Sequence, residues 1–158
     1  MKKHLPYLLI GVIAILLDQG SKYMIEHILS LGDTISIIPG FFQLTYVRNT
    51  GAAWSMFAGS SMTFFYIITI IALVALAFFY RACEPEDRWN RIGLVLMMAG
   101  AVGNLIDRAI FQYVRDFLSF NLLGYDFPVF NIADCALCIG VFMIVAKIFL
   151  EEFGVIKK

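Results

Sequence analysis

The decisive stretch of this chain runs from Gly103 to Asp134 and reads GNLIDRAIFQYVRDFLSFNLLGYDFPVFNIAD. It joins two strongly apolar segments and contains four acids, Asp107, Asp116, Asp126 and Asp134. A carboxylate within a bilayer costs about 3 kcal/mol or more unless it is protonated, paired or facing a wet cavity. Such a cluster therefore suggests a functional site, although an acid in a connection between membrane helices is often simply solvated.

The composition is that of an integral membrane protein. Of the 158 residues, 61% are hydrophobic and 15% are charged, and the mean hydropathy is +0.83. Soluble domains have about 45–50% apolar and about 25% charged residues. The length leaves room for one domain over residues 1–158. A formal net charge of zero, with no basic run, indicates that nucleic acid is not a partner.

Four apolar segments are long enough to span a bilayer as helices, at residues 5–29, 62–80, 92–108 and 128–150. No small-residue cleavage site follows the first segment, so it is interpreted as a membrane helix and not as a cleavable signal sequence. Residues 32–61 include a Pro39-Gly40 turn and the aromatic, β-branched run 41–47. We expect an all-α membrane protein with a small β-element lying on the membrane surface.

The basic residues predict the topology, because four spans place both termini on one side of the membrane. The residues on that side are Lys2, Lys3, Arg81, Arg88, Arg91, Lys157 and Lys158. This excess predicts cytoplasmic termini. Asp107, Asp116 and Asp134 then converge at the outer face. Asp18 and Lys22, spaced i,i+4 in the favourable order, reach the same level from the first span.

A cluster of this kind supports acid–base chemistry. Two carboxylates held close together share one proton, so that one can activate water while the other acts as general acid. Asn131 can donate to a carboxylate or to a developing oxyanion. Asp107 is a rival member of the pair, unless the adjacent Arg108 makes it an ion-paired structural acid. The residues alone leave three interpretations open: an aspartyl hydrolase, a proton- or cation-coupled transporter, and a structural polar cluster.

The cysteines and histidines point to no further chemistry. Cys135 and Cys138 have CxxC spacing but lie in an apolar helical segment, where we expect packing residues and not a redox pair. His4 and His27 are far apart and match no metal-binding spacing.

Five short motifs follow one another along the chain. They are Asp18-Gln19-x-x-Lys22, Arg48-Asn49-x-Gly51-Ala52-Ala53, Gly103-Asn104-x-x-Asp107-Arg108, Val114-x-Asp116-Phe117 and Phe130-Asn131-x-Ala133-Asp134. Each is weak alone, but in this order and at these separations they resemble the bacterial lipoprotein signal peptidases (signal peptidase II). With the four spans, the resemblance covers nearly the whole chain. Cys135 stands where some members of that family have serine.

The resemblance implies an intramembrane aspartyl peptidase that cuts the signal peptide from prolipoproteins just before the diacylglyceryl-modified cysteine. By motif, the catalytic pair would be Asp116 and Asp134. The supporting or lining residues would be Asp18, Lys22, Asn49, Gly51, Asn104, Asp107, Arg108 and Asn131. Residues 32–61 would form an extracytoplasmic β-cradle that grips the substrate.

The resemblance also implies a setting for the enzyme. It would lie in the bacterial cytoplasmic (inner) membrane, among membrane lipids, with its active site near the extracytoplasmic face. Globomycin-type peptides would block the pair of aspartates. No metal or organic cofactor is expected, because the two carboxylates supply both proton transfers.

Overall fold

The computed structural model describes residues 4–51 and 61–155. Within these ranges the chain forms, in order, α1 (Leu5–Ile28), β1 (Thr34–Ile38), β2 (Phe42–Asn49), α2 (Met62–Ala82), α3 (Arg88–Phe111), β3 (Val114–Leu122), β4 (Tyr125–Asp126) and α4 (Ile132–Glu152). The helices are all long and apolar enough to cross a membrane, which confirms the predicted four-span fold. The end of the predicted β-element, residues 52–60, lies outside the described residues.

The helices carry large apolar side chains on their outer surfaces and polar ones inside. Leu16 of α1, Phe78 of α2 and Phe142 of α4 are 66%, 68% and 70% exposed. The largest fully buried side chains are those of Lys22, Asn131, Asp18 and Asp107. An apolar surface of this extent suits lipid, and the bundle encloses a polar cluster where the second halves of α1 and α3 meet the beginning of α4.

Small residues bring α3 and α4 into backbone contact. A Cβ atom added to Gly100 of α3 would overlap the carbonyl oxygen of Ala133, and one added to Gly140 of α4 would overlap that of Gly93. Transmembrane helices associate closely through such small residues. The contact fixes the beginning of α4 against the second half of α3, where the buried polar residues lie.

The Gly100→Ala variant should lower the free energy of unfolding by about 1–3 kcal/mol, because main-chain atoms must move to admit the methyl group. Gly20→Ala on α1 is the matched control, since a Cβ there meets nothing within 4 Å. The control should be neutral or stabilising by up to about 1 kcal/mol, through helix propensity. Unfolding of both variants in the same detergent measures the difference, and equal stability would contradict the close contact.

The four strands form one antiparallel sheet in the order β1-β2-β3-β4. In the β2–β3 pair, Asn49 lies opposite Val114 and Val47 lies opposite Asp116. The sheet therefore also includes β3 and β4, which the sequence did not predict as strands. Residues 114–122 did not suggest a strand because the charged Arg115-Asp116 pair is buried within it and interrupts the apolar alternation.

Three helix boundaries differ from the predicted spans by three residues or more, and the first is the start of α3, at Arg88 and not at 92. The third helix continues to Phe111 instead of ending at 108, and Gln112 terminates it in a left-handed conformation. The fourth helix begins at Ile132 and not near 128, because Asn131 caps it and Phe130 pairs with Leu118 of β3. Asp134 consequently lies at the third position of α4, within its first turn.

Candidate active site

Asp116 and Asp134 approach one site from a strand and from a helix end. Asp116 of β3 is only 2% exposed, and Asp134 of α4 is half-buried. The two carboxylate oxygens of Asp116 accept hydrogen bonds from Asn49 Nδ2 at 2.8 Å and from Asn131 Nδ2 at 2.6 Å. Oδ1 of Asp134 accepts from Asn104 Nδ2 at 2.7 Å. Side-chain amides therefore hold both carboxylates.

Asn131 and Asn104 connect the two acids. Nδ2 of Asn131 also donates to Oδ1 of Asn104 at 3.1 Å, and this oxygen accepts a second hydrogen bond from Lys22 Nζ at 3.1 Å. An ammonium group can only donate, so the amide oxygen of Asn104 must face Lys22 and its NH₂ group must face Asp134. The hydrogen bonds therefore form a directed chain that fixes Asp116 and Asp134 relative to one another.

The N-terminal turn of α4 is capped by the Asn131 side-chain amide and by two carboxylates. Asn131 and Asp134 form a capping box: the Asn131 side chain accepts from Asp134 N at 3.0 Å, and Oδ2 of Asp134 accepts from Asn131 N at 3.1 Å. Oδ1 of Asp18 accepts from Ala133 N at 2.9 Å. The carboxylates of Asp18 and Asp134 thus lie at the positive end of the helix dipole, where negative charge stabilises the helix. Asp134 therefore contributes both to the fold and to the candidate site.

Lys22 of α1, which donates to Asn104, is fully buried. Its Nζ lies 2.9 Å from Oδ2 of Asp18, as the i,i+4 spacing predicted, and 3.5 Å from Oδ2 of Asp107. Asp107 has a second cation, since Arg115 Nη2 lies 2.9 Å from its Oδ1. Two flanking cations favour an ionised Asp107, which separates it from the amide-held pair.

Arg108, which the sequence suggested as the partner of Asp107, makes other contacts, because adjacent helix residues point in different directions. Its Nη2 donates to the carbonyl oxygen of Gly51 at 3.1 Å, and its guanidinium lies 4.9 Å from the ring centre of Phe65. Gly51 N in turn donates to Asn49 Oδ1 at 2.9 Å. Arg108 therefore helps to orient the amide that holds Asp116.

Burial raises the pKa of Asp116 to about 7. The hydrogen bonds from Asn49 and Asn131 oppose this rise, whereas the nearby charge of Asp134 adds to it. A carboxyl group with a pKa near 7 can both hold and release a proton at neutral pH. Because the two acids interact, they titrate as a pair.

The structure links all of the predicted site residues in one network of hydrogen bonds and ion pairs. Asp126, the fourth acid of the central stretch, lies apart from it: it is exposed on β4 and accepts from Asn121 at 2.7 Å. Sequence reasoning assigned no role to Arg115 or Glu26, which also belong to the network. Within residues 4–51 and 61–155, no group of three His, Cys, Asp or Glu side chains could hold a metal ion.

Comparison with known proteins identifies the family. Residues 10–150 match the model of the family described as signal peptidase (SPase) II. The chain belongs to the signal peptidase II family. The lipoprotein signal peptidase of Staphylococcus aureus strain MRSA252 is 45% identical over 138 residues, or 87% of this chain and 84% of the relative. That of strain JH9 gives the same values.

Two solved bacterial membrane enzymes share the fold of this signal peptidase II member. One, determined in meso at 2.3 Å resolution, has a TM-score of 0.85 and 41% identity, covering 97% of this chain and 93% of the other. The second, at 1.9 Å, has a TM-score of 0.79 and 43% identity, covering 90% and 92%. The protein is therefore a multi-pass bacterial membrane protein, and the resemblance seen in the five motifs is confirmed at the level of the family.

Proposed function

We propose that this protein is an intramembrane aspartyl endopeptidase that removes the signal peptide from prolipoproteins just before the diacylglyceryl-modified cysteine. Membership of the signal peptidase II family supports the peptidase activity, and the similarity to lipoprotein signal peptidases supports lipoprotein precursors as its substrates. The aspartyl mechanism rests on one observation: Asp116 and Asp134 are held within one chain of amide hydrogen bonds through Asn131 and Asn104.

In the proposed mechanism the pair of aspartates holds one proton at rest. The ionised carboxylate takes a proton from water as the water oxygen attacks the scissile carbonyl carbon, and the protonated carboxyl group gives its proton to the carbonyl oxygen. When the C–N bond breaks, the pair gives a proton to the departing amine nitrogen and takes one from a hydroxyl group of the tetrahedral intermediate, which restores the resting state. Asp116 is suited to hold the resting proton, because burial raises its pKa to about 7. All of these proton transfers use the two carboxylates, so the proposal includes no metal or organic cofactor.

The remaining predicted residues support the pair. Asn49, Asn104 and Asn131 donate to the carboxylates. Lys22 orients the Asn104 amide and balances the charges of Asp18 and Asp107. Arg108 and Gly51 hold the turn that carries Asn49.

The proposed arrangement in the membrane follows from the distribution of basic residues. Both termini are cytoplasmic, the site lies near the extracytoplasmic face, and residues 1–158 act as one domain. The sheet that carries Asp116 forms the cradle against which the substrate lies. Lipid-modified precursors and globomycin-type peptides reach the pair from the bilayer.

The direct test uses two purified precursors, one with the diacylglyceryl group and one in which the lipid-accepting cysteine is serine. The protein in detergent should cleave the first, leaving the lipidated cysteine at the new N-terminus by mass spectrometry, and a globomycin-type peptide should inhibit the reaction. The serine precursor should remain intact. A folded protein that cleaves neither precursor, but carries protons or cations in proteoliposomes, would overturn the proposal in favour of a transporter.

The pH dependence of kcat/KM should report the shared proton. Because the active pair holds one proton, kcat/KM should fall as the pH rises through about 7, where Asp116 loses it. The hydrogen bond from Asn49 lowers the pKa of Asp116, so Asn49→Ala should raise that pKa and move the alkaline limb to higher pH.

Asn121→Ala provides the control for this profile, since Asn121 donates to the exposed Asp126 and not to the pair. Its pH profile should equal that of the wild type. An alkaline limb that stays in place, or moves to lower pH, in Asn49→Ala would contradict the assignment.

A further inference from the structure

Arg115 directly precedes Asp116 on β3 and has its side chain on the opposite face of the strand, because successive strand residues alternate. It is only 4% exposed. Its Nη2 donates to Asp107 Oδ1 at 2.9 Å and to Gln19 Oε1 at 3.1 Å, and its Nε donates to Asp107 Oδ2 at 3.2 Å. Nη1 donates to Glu26 Oε2 at 3.1 Å. All three guanidinium nitrogens are therefore engaged.

Three structural elements meet at this guanidinium. Asp107 belongs to α3, Glu26 and Gln19 belong to α1, and Arg115 itself belongs to β3. The two-point contact with Asp107 uses the planar fork of the arginine, which a lysine cannot reproduce. The ring of Phe111, at the end of α3, lies 4.5 Å from the guanidinium carbon. The side chain therefore holds the beginning of β3 against both helices.

We propose that Arg115 is a positioning residue for the peptidase reaction: by joining β3 to α1 and α3, its side chain holds the neighbouring Asp116 in place opposite Asp134. This inference rests on the proposed function and deepens it. None of the five motifs assigns a role to position 115, which is the unspecified residue of Val114-x-Asp116-Phe117. Displacing a reacting group by about 1 Å can cost about 100-fold in rate, so a strand that carries a catalytic acid needs such an attachment.

The contribution of the side chain can be separated from that of the backbone. The main-chain N–H of Arg115 also donates to Asp107 Oδ2, at 2.9 Å, and any non-proline residue would keep this contact. Substitution therefore removes only the side-chain contacts. Arg115→Lys keeps the positive charge but loses the planar guanidinium group. Arg115→Met keeps a long unbranched side chain but loses the charge and every hydrogen-bond donor. Glu26→Gln weakens one contact and leaves Arg115 in place.

Arg91→Met is the matched control. Arg91 is also 4% exposed, and from the first turn of α3 it donates to the carbonyl oxygens of Glu84 and Cys83 in the connection between α2 and α3. Along the helix it lies about 24 Å from Asp107, given 1.5 Å per residue. Its loss should lower stability without displacing Asp116.

The experiment measures kcat and KM for the lipidated precursor, together with thermal unfolding, for the wild type and the four variants. Arg115→Lys and Arg115→Met should lower kcat by about 10- to 100-fold with little change in KM, because the catalytic geometry changes and the substrate surface does not. Glu26→Gln should lower kcat by a smaller factor, again with little change in KM. Arg91→Met should melt at a lower temperature and keep the wild-type kcat.

Wild-type kcat in both Arg115 variants would overturn the positioning role, as would an equal loss of kcat in Arg91→Met. If Arg115→Met does not fold, Arg115→Lys and Glu26→Gln decide: a lower kcat at unchanged KM supports the role, and any other pattern overturns it. An inactive wild type would refute the proposed function itself. An active wild type with fully active Arg115 variants would refute only this inference.

Discussion

The Asp116→Asn variant should lose peptidase activity, with kcat lowered by about 1,000-fold or more, as expected when a group that transfers protons in the reaction is removed. Asparagine has nearly the volume of aspartate but can neither accept nor release a proton at neutral pH. Asp116 is 2% exposed and held by two amides, so little solvent can take over its role. The measurement is turnover of a lipidated precursor by purified enzyme.

This prediction needs a control for folding, because the new NH₂ group would face the donor of Asn49 or Asn131. Thermal unfolding of the variant shows whether the loss is chemical. Asp126→Asn is the matched substitution, since Asp126 is an exposed acid of the same region, bonded to Asn121 and remote from the pair. It should keep full activity. Near-normal turnover by a well-folded Asp116→Asn variant would remove Asp116 from the catalytic pair.

Lys22→Met should cause the largest loss of stability among the single variants, about 3–5 kcal/mol, the range for removing one partner of a buried ion pair. Lys22 is 0% exposed and is the ammonium partner of Asp18 and Asp107. Methionine fills the same space but leaves the charge of Asp18 without a cation among the described ion pairs. It also removes the donor that orients Asn104. Activity should therefore fall together with stability.

Lys147→Met provides the comparison for Lys22. Lys147 pairs with Asp87 at 2.7 Å and with Glu151 at 3.2 Å, but its side chain remains 16% exposed. Pairs that water reaches contribute about 1 kcal/mol or less. Chemical unfolding of both variants in one detergent gives the difference, and equal losses would show that the buried cluster contributes no more than an ordinary surface pair. In a background of Asp18→Asn, the cost of Lys22→Met should shrink, because the uncompensated charge is gone.

Hydropathy predicted the four spans because lipid-facing helices need long apolar runs, and these are local properties of the sequence. The motifs likewise identified the residues that converge at the site. The pairing of β2 with β3 could not be inferred locally, because α2 and α3 separate the two strands in the chain: Asn49 and Asp116 are 67 positions apart. No strand was predicted around Arg115 and Asp116, whereas the fold buries the two side chains on opposite faces of β3.

Two further differences between the predicted and the observed structure, the start of α4 and the partner of Asp107, could have been recognised from the local sequence. Asn131 followed three positions later by Asp134 resembles a capping box, which marks a helix beginning at Ile132. Pro128 suggested an earlier start because proline favours the first turn of a helix, but the pairing of Phe130 with Leu118 keeps that segment extended. For Asp107, helical geometry already disfavours the adjacent Arg108 as its partner. The partners of Asp107 are Arg115, which the position of β3 in the folded chain brings to it, and Lys22 of α1.

The most direct test of the catalytic pair compares the purified wild type with Asp134→Asn on one diacylglyceryl-modified precursor in detergent. Asp134 is held by Asn104 and by the backbone of Asn131, and the proposal makes it one of the two proton-transferring groups. We expect the wild type to release the signal peptide and leave the lipidated cysteine at the new N-terminus, and a folded Asp134→Asn to release none. Equal cleavage by both proteins, or none by a folded wild type, would contradict the account.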